Sequence, residues 1–273
     1  MNAEVEEPEL SKLLNGIERR YGYDFRDYAP ASLKRRVLRC VQDEQVGSIS
    51  ALQERLLRHP DCMARFLHTM SVSTTSMFRD PAFYRAFREK VVPQLRGVPF
   101  LRIWAAGCAT GEEVYSLAIL LQEEGLYDRA RIYATDMTEA VIEEARAGVF
   151  PIRKMKEFTR NYQAAGGART FSDYYSASRD NAIVTRALQA NLVWAVHNLV
   201  TDNSFNEFQV ISCRNVMIYF NHDLQSRVHK LFHDSLAVGG FLGLGSKESL
   251  DFTPHEKSYE PVNGNAKIYR RMK

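Results

Sequence analysis

The sequence predicts an α/β protein, a doubly wound parallel sheet preceded by a small helical domain and interrupted by a short antiparallel β insertion. Three observations predict it. Residues 9 to 90 carry helical apolar spacing and no strand pattern. From Phe100 onward strand-like and helix-like segments alternate. Residues 151–191 break that alternation with aromatic and polar sequence and a Gly166-Gly167 turn signal. The expected domains are therefore residues 1–90 and 91–273, with the insertion at about 151–191.

The elements follow in order. Leu10, Leu13, Leu14 and Ile17 share one face of a first helix. Ser32 is placed to cap a second helix through Leu33, Val37, Leu38 and Val41, and Ser50 a third through Leu52, Leu56 and Leu57. Asp80-Pro81 opens another, with proline at the first helical position. Beyond it the sequence predicts strand 100–106, helix 112–124, strand 131–136, helix 138–147, strand 208–213 and helix 222–237. Gly239-Gly240 is expected to end that helix, FLGLG at 241–245 to form the next strand, and AKIYRR at 266–271 to form an edge strand. Short alternating runs at Ala182–Val184 and Leu192–Trp194 are expected to be antiparallel strands of the insertion.

With 273 residues and 45% hydrophobic content, the chain can bury a sizeable core. No apolar run is long enough to span a bilayer, and the acidic N-terminus lacks a signal-peptide layout. Cys40, Cys62, Cys108 and Cys213 show no metal-ligand spacing and read as reduced thiols, so no metal is expected. A net charge of +3 is too small to argue for nucleic acid. The basic residues are clustered, however. Ala31–Arg65 holds seven of them (Lys34, Arg35, Arg36, Arg39, Arg55, Arg58, Arg65) against four acids.

The richest stretch is Arg102–Ser116, RIWAAGCATGEEVYS. Strand, glycine turn and helix in that order cradle a nucleotide-like ligand. Glu112 and Glu113 at the turn would repel phosphate and suit an amine or a sulfonium, which points to S-adenosylmethionine rather than NAD or ATP. The turn also lacks the G-x-G-x-x-G spacing of a dinucleotide site. Asp136 ends the next strand, 25 residues after Gly111. It serves either as a ribose ligand or as a helix cap. The segments Ser73–Asp80, His197–Leu199 and Ser212–Phe220 add polar residues, the last two following strand-like runs and so falling at the carboxyl edge of the same sheet.

Together STTSMFRD, AAGCATGEEVYSLAI, ATDMTEAVIEEARAGVF, HNL and SCRNVMIYF resemble the chemotaxis-receptor methyltransferases, the CheR-type family, across nearly the whole chain. The resemblance implies a Rossmann-like S-adenosylmethionine-dependent methyltransferase that esterifies glutamate side chains on the cytoplasmic domains of chemoreceptors and releases S-adenosylhomocysteine. It implies a cytoplasmic protein at membrane-associated receptor arrays, without membrane insertion. By motif, Ser73, Thr75, Arg79 and Gly107 fall in the cofactor site, with Ser73 standing where the family commonly has Asn. Glu112 or Glu113 holds the cofactor's amino group, and Asp136 the ribose. Met137, Asn198 and Leu199 border the adenine, and Cys213, Arg214 and Asn215 line the methionine side. Arg79 and Tyr219 are expected to orient the reacting carboxylate, not to move a proton, because a glutamate is already an anion at neutral pH. Lys34, Arg35, Arg36 and Arg39 form either a solvated helix face or a docking surface for an acidic receptor bundle. The insertion could add a receptor's C-terminal peptide as a strand. The competing reading is a non-catalytic, S-adenosylmethionine-binding adaptor of a chemosensory array.

Overall fold

The computed structural model describes residues 3–71, 75–251 and 253–273, with side chains from Glu7 onward. Four helices come first: α1 (Ala3–Tyr21), α2 (Pro30–Asp43), α3 (Ile49–Arg58) and α4 (Pro60–Ser71). Two caps differ from expectation. Helix α2 begins two residues before Ser32, because Pro30 supplies the fixed φ of a first turn. Helix α3 is capped by Ser48, whose Oγ accepts from the Ala51 N–H at 3.1 Å, while Ser50 donates to Glu9. Next come α5 (Pro81–Ala86), a π segment at Phe87–Val91 and α6 (Val92–Leu95), as one helical stretch whose apolar side joins a core on the sheet.

The alternating region follows: β1 (Leu101–Ala106), α7 (Glu112–Glu123), β2 (Ala130–Asp136), α8 (Glu139–Ala147), β3 (Val149–Pro151), α9 (Met155–Ala164), β4 (Tyr175–Ser178), β5 (Asn181–Val184), α10 (Arg186–Gln189), β6 (Leu192–Val196), β7 (Phe208–Cys213), α11 (His222–Ser235), β8 (Leu236–Leu244), β9 (Tyr259–Asn263) and β10 (Ile268–Arg271). The seven-stranded sheet has the order β6-β2-β1-β7-β8-β10-β9. Its first five strands are parallel, and β10 and β9 run antiparallel. The chain leaves β1 toward β2 and β6, then returns to build β7 and β8 on the other side. Strand order therefore reverses at β1, and a crevice opens beyond the carboxyl ends of β1 and β7, the position that binds ligands in open α/β sheets. This is the Rossmann-like fold class read from the sequence.

Three strand expectations are corrected. Leu192–Val196 is not in the insertion; it pairs parallel with β2 at the edge of the main sheet, Ile132 opposite Leu192. The run is wholly apolar, so its residues alone do not tell a parallel partner from an antiparallel one; the pairing with β2 decides it. Gly239-Gly240 does not end a helix but lies inside β8, where the register with β7 shifts between Phe208 and Val210. Nor is the last strand an edge, since β9 covers β10 on its outer side.

The insertion is a three-stranded antiparallel sheet, β3-β5-β4, beside α9. Glu123 at the end of α7 locks it down, accepting from the hydroxyls of Tyr162 and Tyr174 and from Arg88. Burial alone would raise that carboxyl's pKa, but these donors outweigh it and hold it below the usual value.

Helices α1–α4 pack on one face of the sheet. Leu13, Val37, Phe66 and Met70 share a core with Trp104, Phe208, Phe232 and Leu242. Buried Trp104 satisfies its indole N–H on Thr135 Oγ1 at 2.8 Å. The helical region is also tied to the segment after β7: the Ala29 N–H donates to the Tyr219 carbonyl at 2.8 Å, and Asn221 N–H to the Asp27 carbonyl at 2.8 Å. No described helix is long and apolar enough to cross a membrane.

Candidate functional site

One cavity, open to solvent, lies where the sheet's crevice meets the helical region. Its floor is the β1–α7 turn. Gly107 (φ +72°) and Gly111 (φ +92°) adopt left-handed backbone there. At Gly107 a Cβ would stand 2.5 Å from Val216 Cγ2, so glycine lets the turn and the Asn215–Val216 loop close on each other. The Gly107 and Cys108 N–H groups both donate to the Thr135 carbonyl at 2.9 Å, binding the turn to β2.

Asp136 stands at the end of β2 in the cavity wall. Its two oxygens accept from the Ala109 and Met137 N–H groups, each at 2.8 Å. The carboxylate is thus fixed in plane with acceptor capacity left over. Burial pushes its pKa up, and the two N–H donors work against that. The cap of α8 is instead Thr138, which accepts from the Val141 N–H.

Glu113 and Glu112 divide their work. One helical step of about 100° separates them, so only one can face the cavity. Glu113 lines it, accepting from Ser212 Oγ at 2.6 Å and from Arg214 Nη1 at 3.1 Å. Glu112 is fully buried elsewhere, bound by Thr110 Oγ1 at 2.6 Å and Lys154 Nζ at 3.3 Å. Its expected place at the cofactor is therefore corrected.

Arg214 is the buried cation of the site. Its guanidinium reaches Glu113, Asp80 Oδ2 at 3.0 Å and the Arg79 carbonyl at 2.9 Å, and it lies 4.1 Å from the Phe83 ring centre. Burial opposes its charge, but Glu113 and the neighbouring anions outweigh that and keep its pKa raised. Asp80, at the start of α5, makes no side-chain capping bond and pairs with Arg214 instead. Ser116 holds the same segment by accepting from the Phe78 N–H at 2.8 Å, which gives the GEE-x-YS spacing a structural reason.

Thr75, Arg79, Gly107, Glu113, Asp136, Met137, Asn198, Leu199, Arg214, Asn215 and Tyr219 all meet at this cavity. Ser73 lies outside the described residues. Cys213 does not reach the cavity. Strand side chains alternate, and with Ser212 turned toward Glu113, Cys213 points into the opposite core. Arg36 is likewise not part of an exposed basic face. It sits with Leu33, Val37 and Cys40 on the buried side of α2, whereas Lys34, Arg35 and Arg39 line a shallow outer depression.

A family model described as the CheR methyltransferase SAM-binding domain matches residues 73–268, and one described as the CheR all-alpha domain matches residues 8–71. The chain belongs to the CheR methyltransferase family. It is 46% identical over 263 residues to "Putative methyltransferase Cher3" of Pseudomonas putida, covering 96% of both chains. It is 26% identical to a chemotaxis protein methyltransferase of Listeria monocytogenes over 86% of this chain and 87% of that one. A third relative, chemotaxis protein methyltransferase 1 of Pseudomonas aeruginosa, is 26% identical over 87% of this chain and 88% of that one.

As a CheR methyltransferase the chain uses S-adenosylmethionine, and the cavity's chemistry fits that molecule. A buried carboxylate with spare acceptors, Asp136, suits vicinal ribose hydroxyls. Met137, Leu199 and Val200 offer an apolar slot for a flat base, and Glu113 a counter-charge for an ammonium group. Among the described residues no cluster could hold a metal ion.

One residue of this site carried no signal in the sequence. Glu248, buried just after β8, accepts from four backbone N–H groups: Gly245 at 2.6 Å, Asn215 at 3.0 Å, Val216 at 2.9 Å and Met217 at 2.8 Å. It fastens the loop that carries Asn215, whose φ of +63° places it in the left-handed region. Burial raises the Glu248 pKa, the four donors opposing it.

Proposed function

We propose that this protein is a protein-glutamate O-methyltransferase acting on the cytoplasmic domains of chemoreceptors. The observation that carries the reading is the convergence, in one cavity, of two acids suited to the cofactor (Glu113, Asp136) with Arg79 and Tyr219 at the border between sheet and helical region. The names of the relatives support a chemotactic role.

Bound S-adenosylmethionine supplies a methyl group on a positively charged sulfur. Asp136 would hold the ribose, Glu113 the amino group, and Met137, Asn198 and Leu199 the adenine. Arg79, on the segment Arg214 pins to the sheet, would grip both oxygens of a glutamate carboxylate. Tyr219 would fix the carboxylate's approach. Neither moves a proton, since the acceptor is already ionised at neutral pH. Positioning of this kind can supply roughly 7–11 kcal/mol. Tyr28 and Met70 of the helical region line one side of the cavity and would limit water at the reacting centre. Lys34, Arg35 and Arg39 on the outer face of α2 would steer an acidic helical receptor toward this side, and the β3-β5-β4 sheet would offer an edge to a receptor's C-terminal peptide.

The test is transfer of labelled methyl from S-adenosylmethionine to receptor cytoplasmic fragments, with the base lability of a methyl ester. Cofactor binding without transfer to any chemoreceptor of the source organism sinks the reading and favours a non-catalytic adaptor.

A further inference from the structure

Arg36 is a buried cation in an apolar helix face, and the site as described leaves it unused. It projects from α2 between Leu33, Val37 and Cys40 and is only 6% exposed. The groups acting on it most strongly are its own burial, then Tyr219, Tyr28 and Arg35, with no carboxylate among them. A buried guanidinium without an anion is costly to keep. What it touches instead is specific. Its Cζ lies 4.0 Å from the centre of the Tyr219 ring. Its Nη1 donates to the carbonyl of Met70 and, at 3.3 Å, to that of Thr69. These carbonyls belong to the last turn of α4. Tyr219, Tyr28 and Met70 all line the cavity.

We infer that Arg36 is a positioning residue: it holds the plane of the Tyr219 ring and the last turn of α4, and so joins helix α2 to the reacting centre. The outer face of α2 carries Lys34, Arg35 and Arg39, and the inner face presents this one guanidinium to Tyr219. Stacking needs the flat, delocalised cation of arginine. A lysine in its place keeps the charge but loses the plane. The same helix is also pinned by its first residues, through the Ala29 N–H to the Tyr219 carbonyl at 2.8 Å. A displacement of α2 by a docked partner would therefore reach Tyr219 directly.

This inference rests on the proposed function for its catalytic consequence and on the stack alone for its structural part, and the experiment separates the two. Arg36→Met, Arg36→Lys and the outer-face triple Lys34→Ala/Arg35→Ala/Arg39→Ala are compared in the full chain, with thermal melting as the folding control. With a receptor cytoplasmic fragment as substrate, Arg36→Met should lower kcat at least tenfold and leave KM for the receptor within twofold. Arg36→Lys should fall between it and wild type. The triple should instead raise KM. A risen KM with kcat retained in Arg36→Met would make Arg36 a docking residue and overturn the inference. Independently of any substrate, 3-fluorotyrosine placed at position 219 reports its own ring environment by fluorine NMR. Arg36→Met and Arg36→Lys should both shift that resonance, and the triple should not. An unmoved resonance in either folded Arg36 variant overturns the inference. If the resonance moves while wild-type protein methylates no receptor, the stack stands and the substrate assignment fails.

Discussion

Replacing Glu248 by glutamine tests how the cavity's loop is built. The carboxylate holds two pairs of backbone N–H groups: Oε1 takes Val216 at 2.9 Å and Met217 at 2.8 Å, Oε2 takes Gly245 at 2.6 Å and Asn215 at 3.0 Å. Glu248→Gln keeps the shape but turns one oxygen into an NH2 group that meets two donors head on. Hydrogen bonds to a charged group contribute about 1.5–3 kcal/mol each, so losing two costs roughly 3–6 kcal/mol. Part of this is offset, because the buried carboxylate carries a desolvation cost, visible in its raised pKa, that a neutral amide avoids. A net loss of about 2–4 kcal/mol remains, which in a chain of this size lowers Tm by roughly 5–10 °C. Asn215 and Val216 line the cavity, so affinity for S-adenosylhomocysteine should fall at least tenfold. Calorimetric melting and isothermal titration measure the two effects. A variant that melts within about 1 °C of wild type and binds equally well refutes the argument at its root. One that melts early but binds normally refutes the link from Glu248 to the cavity.

Three further predictions follow from the same geometry. Glu113→Gln should weaken cofactor binding roughly 10- to 100-fold, the size of a charge-assisted hydrogen bond, whereas Glu112→Gln should leave it within about threefold; titration of both variants decides, and equal losses would dissolve the assignment of Glu113 to the cavity. Arg79→Ala should retain most of its cofactor affinity and lose about 10- to 100-fold in turnover, so unchanged turnover removes the clamp. Burial holds the His229 imidazole at about 4 against an ordinary 6.5. A depressed histidine is neutral when folded, so its contribution is present above about pH 6.5 and is lost as pH falls toward 4, about 3 kcal/mol across that window. Melting temperature should drop over that range in wild type and less steeply in His229→Gln, and parallel slopes would show that another group drives the acid loss.

The sequence carried the order of the elements, the glycine turn, Asp136 and the polar segments at one sheet edge, because each has a local signature. Errors arose where the deciding partner is remote. Leu192–Trp194 is a short apolar run that does not show its partner, and pairing with β2 makes it a parallel edge. Gly239-Gly240 looks like punctuation until the shifted register with β7 absorbs it. Glu248 acts on a loop some thirty residues earlier in the chain, and nothing around it announces this. Arg36 differs. Its helical period with Leu33, Val37 and Cys40 already placed it inward, and its count among clustered basic residues concealed that.

Arg214 shows why the parts of this site should fail together. It is the side chain that joins Glu113 on α7 to Asp80 and the Arg79 carbonyl on the segment that leads into α5. Glu113 is thus both a cavity wall and one of two anions balancing a buried cation. Removing it leaves Arg214 with Asp80 alone, and a buried charge short of its partners draws on whatever remains. The segment bearing Arg79 should shift toward the sheet in response. Glu113→Gln should therefore impair turnover even at saturating cofactor, beyond its effect on binding. Asp80→Asn, which removes the other anion and does not alter the cavity wall, should reproduce the turnover defect with the cofactor affinity largely kept. If Asp80→Asn turns over normally, the segment is held by Ser116 and the Phe78 core, and Arg214 serves Glu113 only.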